Sequence, residues 1–443
     1  MHELEGVSKG AQTKALAVST VAFTVCFAVW TIFSIIGIKI KQNLGLSDSE
    51  FGLLVATPIL TGSLSRIFLG IWTDQYGGRI VYFVLMLTTA VAVWLLSSVE
   101  TYPMFLLAAL GVGLAGGSFA VGIAYVSRWY EKERQGTALG IFGMGNVGAA
   151  ITNFGAPFLL VAFGWEKVAQ IYAVILVIMA IIFWFTTEID PATRIRREKG
   201  GKVKPALMQL TPLKNLQVWR FATYYFFVFG AYVALALWLP RYYMGVYGLE
   251  IQTAGMLAAA YALPGSIFRA LGGWMSDRWG ARKVMYWTFI GSIACVFLMS
   301  YPATDYNVHG IEGPIQFTIA MPLVPFVILT ILLGFFMSLG KAAVYKHIPV
   351  YYPDNVGSVG GLVGMIGGLG GFILPICFGV MNDLIGIWTS CFMLLFVLIA
   401  ISLTWMHFSI QAMDKQLHPE LKGPLDLPEL MAVAAETKNS VHN

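Results

Sequence analysis

Apolar and polar positions in this chain segregate on the scale of whole helices. Long apolar runs, each near the ~20 residues a helix needs to cross a bilayer, recur along its length between short polar turns. The pattern predicts twelve spans, at residues 15–40, 50–73, 79–98, 103–127, 136–163, 167–187, 219–244, 251–276, 283–301, 320–345, 356–381 and 386–409. The longest polar interruption, 188–218, separates the sixth from the seventh and carries Arg194, Arg196, Arg197, Lys199, Lys202, Lys204 and Lys214. An all-α membrane protein of six plus six helices is expected. Its parts are a polar segment 1–14, a first half 15–187, a basic linker 188–218, a second half 219–409 and a tail 410–443. The tail is polar, contains several prolines and reads as loosely ordered.

Composition agrees with that reading. Of 443 residues, 58% are hydrophobic and 12% charged, where soluble domains carry about 25% charged residues. The net charge of +5 is small, and the cations gather after spans 2, 4, 6, 8 and 10. They are Arg79; Arg128, Lys132 and Arg134; the linker; Arg278, Arg282 and Lys283; and Lys346. An excess of Lys and Arg in alternate loops marks the cytoplasmic side, so both termini are expected there. The distribution speaks for topology rather than for nucleic-acid binding, although the linker cluster also suits anionic lipid. The first apolar run is too long for a cleavable signal peptide. Cys26, Cys295, Cys377 and Cys391 lie in apolar segments without metal-ligand spacing and read as small buried hydrophobes. No catalytic triad, metal set or phosphate-binding loop appears, so neither an enzyme nor a cofactor is expected, and a monomer is the working expectation.

The two halves repeat. Shifted by 203 residues, Gly62, Ser63, Arg66, Gly70, Asp74, Gly77 and Arg79 overlie Gly265, Ser266, Arg269, Gly273, Asp277, Gly280 and Arg282, identical at all seven positions. Parallel six-span repeats are the organisation of major facilitator transporters. The part G-x3-D-x2-G-x-R resembles that superfamily's loop signature after spans 2 and 8. Glycine allows close helix approach and a tight turn, while Asp and Arg can pair or cap helix ends. Asp74, Arg79, Asp277 and Arg282 are therefore read as a conformational latch.

Arg66 and Arg269 pose a different question. Each lies eight residues, about 12 Å along a helix, inside the same rim, deep enough for its guanidinium to reach the membrane midplane. A central charge there costs at least ~2.5–3.5 kcal/mol on insertion scales, and no Asp or Glu lies deep in any predicted span. Backbone carbonyls, water or snorkelling offer one remedy. A travelling oxyanion, bridged by two planar forked guanidiniums, offers the other. Nitrate, nitrite, bicarbonate, carboxylates and phosphates all satisfy that geometry.

Glycine patterning narrows the choice. Gly357, Gly360, Gly361, Gly364, Gly367, Gly368 and Gly371 form one bare stripe on the eleventh span. Gly136, Gly140, Gly143 and Gly148 do the same on the fifth, beside Asn146. Both segments end in F-x-x-P, at Phe154/Pro157 and Phe372/Pro375. Close helix packing is one use of such faces; a narrow wall for a small ion is another, with Gly143, Gly367 and the Asn146 amide as candidates. Glycine-rich spans 5 and 11, G-x-G-N-x-G in span 5 and single arginines in spans 2 and 8 resemble the nitrate/nitrite porter (NarK-like) family of the major facilitator superfamily. The resemblance implies a multi-pass protein of the prokaryotic plasma membrane. It implies that Arg66 and Arg269 hold nitrate or nitrite and that Tyr225, Phe229 and Phe119 supply sandwiching rings, with Asn146 beside them. Gly stands in span 11 where span 5 has Asn, so a symmetric amide pair is not implied.

Lys341 in the tenth span is either a snorkelling cation or a third charge beside the cavity and a candidate for proton coupling. The resemblance covers proton-coupled nitrate importers and nitrate/nitrite exchangers; Lys341 inclines the reading to proton-coupled import, with exchange as the alternative. Organophosphate or phosphate exchangers also use paired arginines, but in spans 1 and 7. A non-transporting anion sensor on the same fold would bind without flux.

Overall fold

The computed structural model describes residues 8–199, 214–351 and 356–417. Among them, twelve helices are long and apolar enough to cross a membrane. Numbered as spans 1–12, they are Lys9–Leu44, Asp48–Thr73, Gly78–Leu96, Tyr102–Ser127, Thr137–Phe163, Trp165–Thr186, Leu216–Tyr247, Ile251–Trp279, Ala281–Met299, Leu323–Ile348, Val359–Ile385 and Ser390–Ala412. All twelve expected segments are present, with three differences. Span 1 starts at Lys9, where Ser8 accepts the Ala11 N–H as a side-chain cap. Lys346 sits on the last turns of the tenth helix, Leu323–Tyr351, rather than in a loop. The stretch after span 9, expected as a plain connection, forms two antiparallel strands, β1 (Thr304–Gly310) and β2 (Gly313–Ile319). Residues 1–7, most of the basic linker (200–213) and the tail from 418 lie outside the described residues. Three of the four cysteines are buried, Cys377 is half-buried, and all are unpaired.

Burial orders the bundle. Spans 1 and 7 are the most enclosed, with 83% and 89% of their apolar windows buried, against 33% for span 12. Spans 1 and 7 therefore form the interior, while spans 3, 6, 9 and 12 present most of their surface to lipid. The halves meet where span 2 runs along span 11 and span 5 along span 8. At one end these pairs touch backbone to backbone. A Cβ on Gly52 would lie 2.3 Å from the Pro375 carbonyl oxygen, one on Gly379 2.1 Å from that of Asp48, and one on Gly255 2.3 Å from that of Asn153. At the other end the same four helices part, and a Cβ on Gly70, Gly140, Gly273 or Gly361 would meet no atom within 4 Å. The halves are thus closed at the Asp48 end and splayed at the end that carries the repeated motif. In that motif Gly77 and Gly280 adopt φ of 92° and 87°, a conformation open to glycine at little steric cost, so the repeated turn has the same physical reason in both halves.

Candidate anion-binding site

Five spans depart from regular α-helix near the same level. Span 1 breaks between Trp30 and Phe33, and span 8 between Ile267 and Arg269. Span 4 tightens to a 3-10 turn at Leu114–Gly117 and span 5 at Met144–Val147, while span 7 widens to a π turn at Phe226–Ala231. Each irregularity holds or adjoins one of Trp30, Arg269, Phe119, Asn146 and Phe229. Such distortions gather at functional sites, and in a membrane they persist only where protein or a polar cavity satisfies the backbone.

The two arginines converge there. Arg66 and Arg269 are buried, 5% and 7% exposed. The Phe119 ring lies between them in reach of both, its centroid 5.3 Å from Cζ of Arg66 and 5.9 Å from Cζ of Arg269. Each guanidinium crosses to a glycine face of the opposite half. Nη1 of Arg66 donates to the Gly364 carbonyl at 2.8 Å, and a Cβ on Gly368 would stand 3.5 Å from that nitrogen. A Cβ on Gly143 would stand 3.2 Å from Cζ and Nη1 of Arg269. In the register set by the two F-x-x-P ends, Gly364, whose carbonyl accepts from Arg66, occupies the place of Asn146. The bare stripes leave room for the opposing arginines; Gly367 instead accommodates the Tyr225 ring, which an added Cβ would meet at 2.3 Å.

The remaining surroundings are aromatic. Tyr225 and Phe229 stack at 5.1 Å and 12°, and Phe229 lies 5.6 Å from Cζ of Arg66. The sequence reading missed two rings. Trp30 lies 5.7 Å from Cζ of Arg66 and donates its indole N–H to the Pro58 carbonyl at 2.8 Å. Tyr345 lies 5.7 Å from Cζ of Arg269, meets Tyr225 edge-on and donates to the Gly360 carbonyl at 3.0 Å. A pointer to Tyr345 was available: it lies one helical turn after Lys341. Ring faces attract a guanidinium by about 0.5–2 kcal/mol each but supply no hydrogen-bond acceptor in the ring plane. A guanidinium has five N–H donors. Arg66 uses one of its nitrogens on Gly364 and leaves Nε unpaired, and Arg269 has no hydrogen-bond acceptor among the described residues. Asn146 is fully buried with neither amide atom bonded.

Lys341 does not snorkel. It is fully buried, donates to the Gly265 carbonyl and stands 3.4 Å from the centroid of the Tyr232 ring. Tyr232 in turn shares a 2.8 Å hydrogen bond with Ser266, so the lysine is held one turn before Arg269. Three buried cations therefore lie close together, while the ion pairs found among the described residues sit toward the ends of the bundle. No cluster of His, Cys, Asp and Glu among those residues could hold a metal.

At the closed end lies a second polar group that the sequence did not reveal. Asp48 of span 2 receives Lys41 at 3.1 Å, Arg241 of span 7 at 3.3 Å and Asn382 of span 11 at 3.2 Å. Asp383 accepts the N–H groups of Asp48 and Ser49, 3.1 and 2.7 Å, capping span 2 from the opposite half. At the open end each motif copy holds a charged residue with a local partner. Asp277 pairs with Lys346, and Arg79 lies over the Trp184 ring at 4.4 Å and donates to the Trp184 carbonyl. The Asp74 side chain is outside the described residues, and Arg282 opens span 9.

A family model described as Major Facilitator Superfamily matches residues 18–314 and again 250–429. A Thermus thermophilus protein described as a probable nitrate/nitrite antiporter is 43% identical over 94% of this chain and 95% of its own length. The chain belongs to the nitrate/nitrite porter (NarK-like) family of the major facilitator superfamily. This makes it a multi-pass membrane transporter, not an enzyme. Other relatives of the porter include a Mycobacterium tuberculosis protein described as a probable nitrate/nitrite transporter, 31% identical over 84% of this chain and 90% of its own. A Bacillus subtilis nitrite extrusion protein is 27% identical over 86% and 90%. Among solved structures, a bacterial homologue of the human lysosomal transporter Spinster superposes with a TM-score of 0.67 at 16% identity, covering 91% of this chain and 98% of that one. It supports the fold alone.

Proposed function

We propose that this porter carries nitrate and nitrite across the membrane by alternating access, with the anion bridging Arg66 and Arg269. The observation that carries the reading is the pair of buried guanidiniums around one Phe119 ring, with unspent donors and no described carboxylate in reach. A planar oxyanion satisfies such donors two at a time, and the descriptions of the relatives name nitrate and nitrite. With both termini in the cytoplasm, as the basic loops suggest, the splayed end faces inward. Anion binding screens the repulsion between the arginines and lets the open end close, while Asp74, Arg79, Asp277 and Arg282 at that rim hold or release the closed form.

Import of an anion against a negative-inside potential is opposed by about 2.3 kcal/mol per charge per 100 mV, so inward flux needs co-transported protons or exchange. Lys341, buried one turn before Arg269 with no described anion partner, supports proton-coupled import. The description of the Thermus relative as an antiporter favours exchange as the second reading. Proteoliposomes loaded with or without nitrite, given external nitrate and monitored for internal pH, separate the two. Acidification without internal nitrite is expected for coupled import; nitrate entry only with internal nitrite, at constant pH, is the exchange result. Arg66→Lys and Arg269→Lys keep the charge but lose the fork, and each should lower nitrate uptake by roughly 10-fold or more, the worth of one charge-assisted hydrogen bond of about 1.5–3 kcal/mol. Undiminished uptake in both variants refutes the clamp.

A further inference from the structure

The β1–β2 ribbon is a sheet with two chemically opposite faces. Its register sets Tyr306 against Phe317 and Val308 against Ile315, with Ile319 at the end of the same face. Side chains alternate between the faces of a strand, so Asp305, Asn307, His309, Gln316 and Thr318 occupy the other. Tyr306 and Phe317 stack at 5.3 Å and 16°, while Thr318 donates to Asp305 across the polar face. The apolar face is uncovered. Val308, Ile315, Phe317 and Ile319 are each 43–56% exposed, and Ile311 at the tip is fully exposed. Among the described residues no helix packs closely along the ribbon.

The ribbon is not required by topology. Spans 9 and 10 are packed neighbours, and adjacent antiparallel helices are joined by about 2–8 residues. A lone two-stranded ribbon is at best marginally stable in water, and an uncovered apolar face makes it less so. The residues that flank its base are themselves apolar and exposed. Phe297, Leu298 and Tyr301 at the end of span 9, with Val324 and Ile328 at the start of span 10, are exposed where the spans face lipid. The ribbon is thus flanked in the chain, on both sides, by exposed apolar residues of lipid-facing helices. No Lys or Arg occurs between residues 300 and 322, where Asp305 and Glu312 are the charged residues, so the attraction is apolar burial rather than pairing with anionic headgroups.

We propose that the ribbon is an interfacial anchor at the closed end of the porter. Its apolar face and Ile311 lie in the boundary between headgroups and acyl chains of the bilayer, and its polar face is turned to water. The placement is independent of which anion the porter carries. It ties the connection between spans 9 and 10 to the membrane surface at the end where Asp48 and Asp383 join the halves.

The test uses the full chain in phosphatidylcholine vesicles with single environment-sensitive labels at Ile311→Cys, Ile315→Cys and Gln316→Cys. The unsubstituted porter serves as blank for the half-buried Cys377, and monodispersity serves as the folding check. Spin-labelled lipid should quench positions 311 and 315 about two-fold or more over position 316, and aqueous iodide should show the reverse order. Equal iodide quenching at all three positions overturns the proposal, since the ribbon then stands in water. Shielding of 311 and 315 from both quenchers also overturns it, because protein rather than lipid then covers the face; dependence of that shielding on protein density identifies a second copy.

Discussion

Replacing Gly379 by Ala tests the closed end directly. The added Cβ would lie 2.1 Å from the Asp48 carbonyl oxygen and 2.6 Å from its carbon. An ordinary contact begins near 3.4 Å, and the obstacle is backbone, which has no rotamer to escape into. Spans 2 and 11 must therefore separate by roughly 1 Å, stretching the bonds from Asp383 to the Asp48 and Ser49 N–H groups. Overpacking of this kind costs about 1–3 kcal/mol. The penalty falls on the conformer closed at this end and is absent from the alternative, in which the halves part here. At about 1.4 kcal/mol per factor of ten, the equilibrium should shift about 5–150-fold toward the form opened at the Asp48 end. Gly361 reads the shift, because an added side chain there meets nothing in the present conformer. Alkylation of Gly361→Cys in vesicles follows the fraction open at that end, so it should slow when Gly379→Ala is added, by at most that factor. Gly52→Ala, whose Cβ meets the Pro375 carbonyl oxygen at 2.3 Å, should act alike in a protein that is still monodisperse. Unchanged alkylation in both variants refutes the claim that these backbone contacts define the closed state.

Asn146→Ala should leave the melting temperature of the empty porter unchanged or higher, because a buried amide without partners carries a desolvation penalty of about 1–3 kcal/mol; the same variant should lose most nitrate-induced stabilisation, and thermal shifts with and without nitrate report both. Gly143→Ala places a methyl 3.2 Å from the Arg269 guanidinium and should raise KM for nitrate by roughly 10-fold, with a smaller change in folding stability, if displacing that arginine forfeits one charge-assisted contact. Lys341→Gln removes the charge held by the Gly265 carbonyl and the Tyr232 ring; proton uptake per nitrate should fall while nitrate binding is retained, and an unaltered proton-to-nitrate ratio removes Lys341 from coupling.

Spans, halves and the arginine pair were legible because each rests on a one-dimensional signal. A bilayer demands about twenty apolar residues per helix, and an isolated cation in such a run stands out against its neighbours. The doubled G-S-x-x-R motif also fixed Arg66 and Arg269 as equivalent positions of the two halves. Other features depended on contacts between distant parts of the chain. Trp30 and Tyr345 are two among many aromatics, and only packing brings them to Arg66 and Arg269. Asp48, Arg241 and Asp383 look like ordinary loop-proximal charges until spans 2, 7 and 11 meet. The ribbon alternates over too few residues to compete with the apolar helices around it.

Lys341 marks the same boundary. Its sequence position allowed either escape to the rim or burial, and the choice followed from the Gly265 carbonyl and the Tyr232 ring being within reach in the folded half. Sequence alone determined which residues cross the membrane and which two cations stand unexplained within it, since hydropathy and charge are properties of each residue. Tertiary structure decided what each cation faces, which glycines give them room and which end is shut, because those are distances between helices, and no spacing along one helix encodes them.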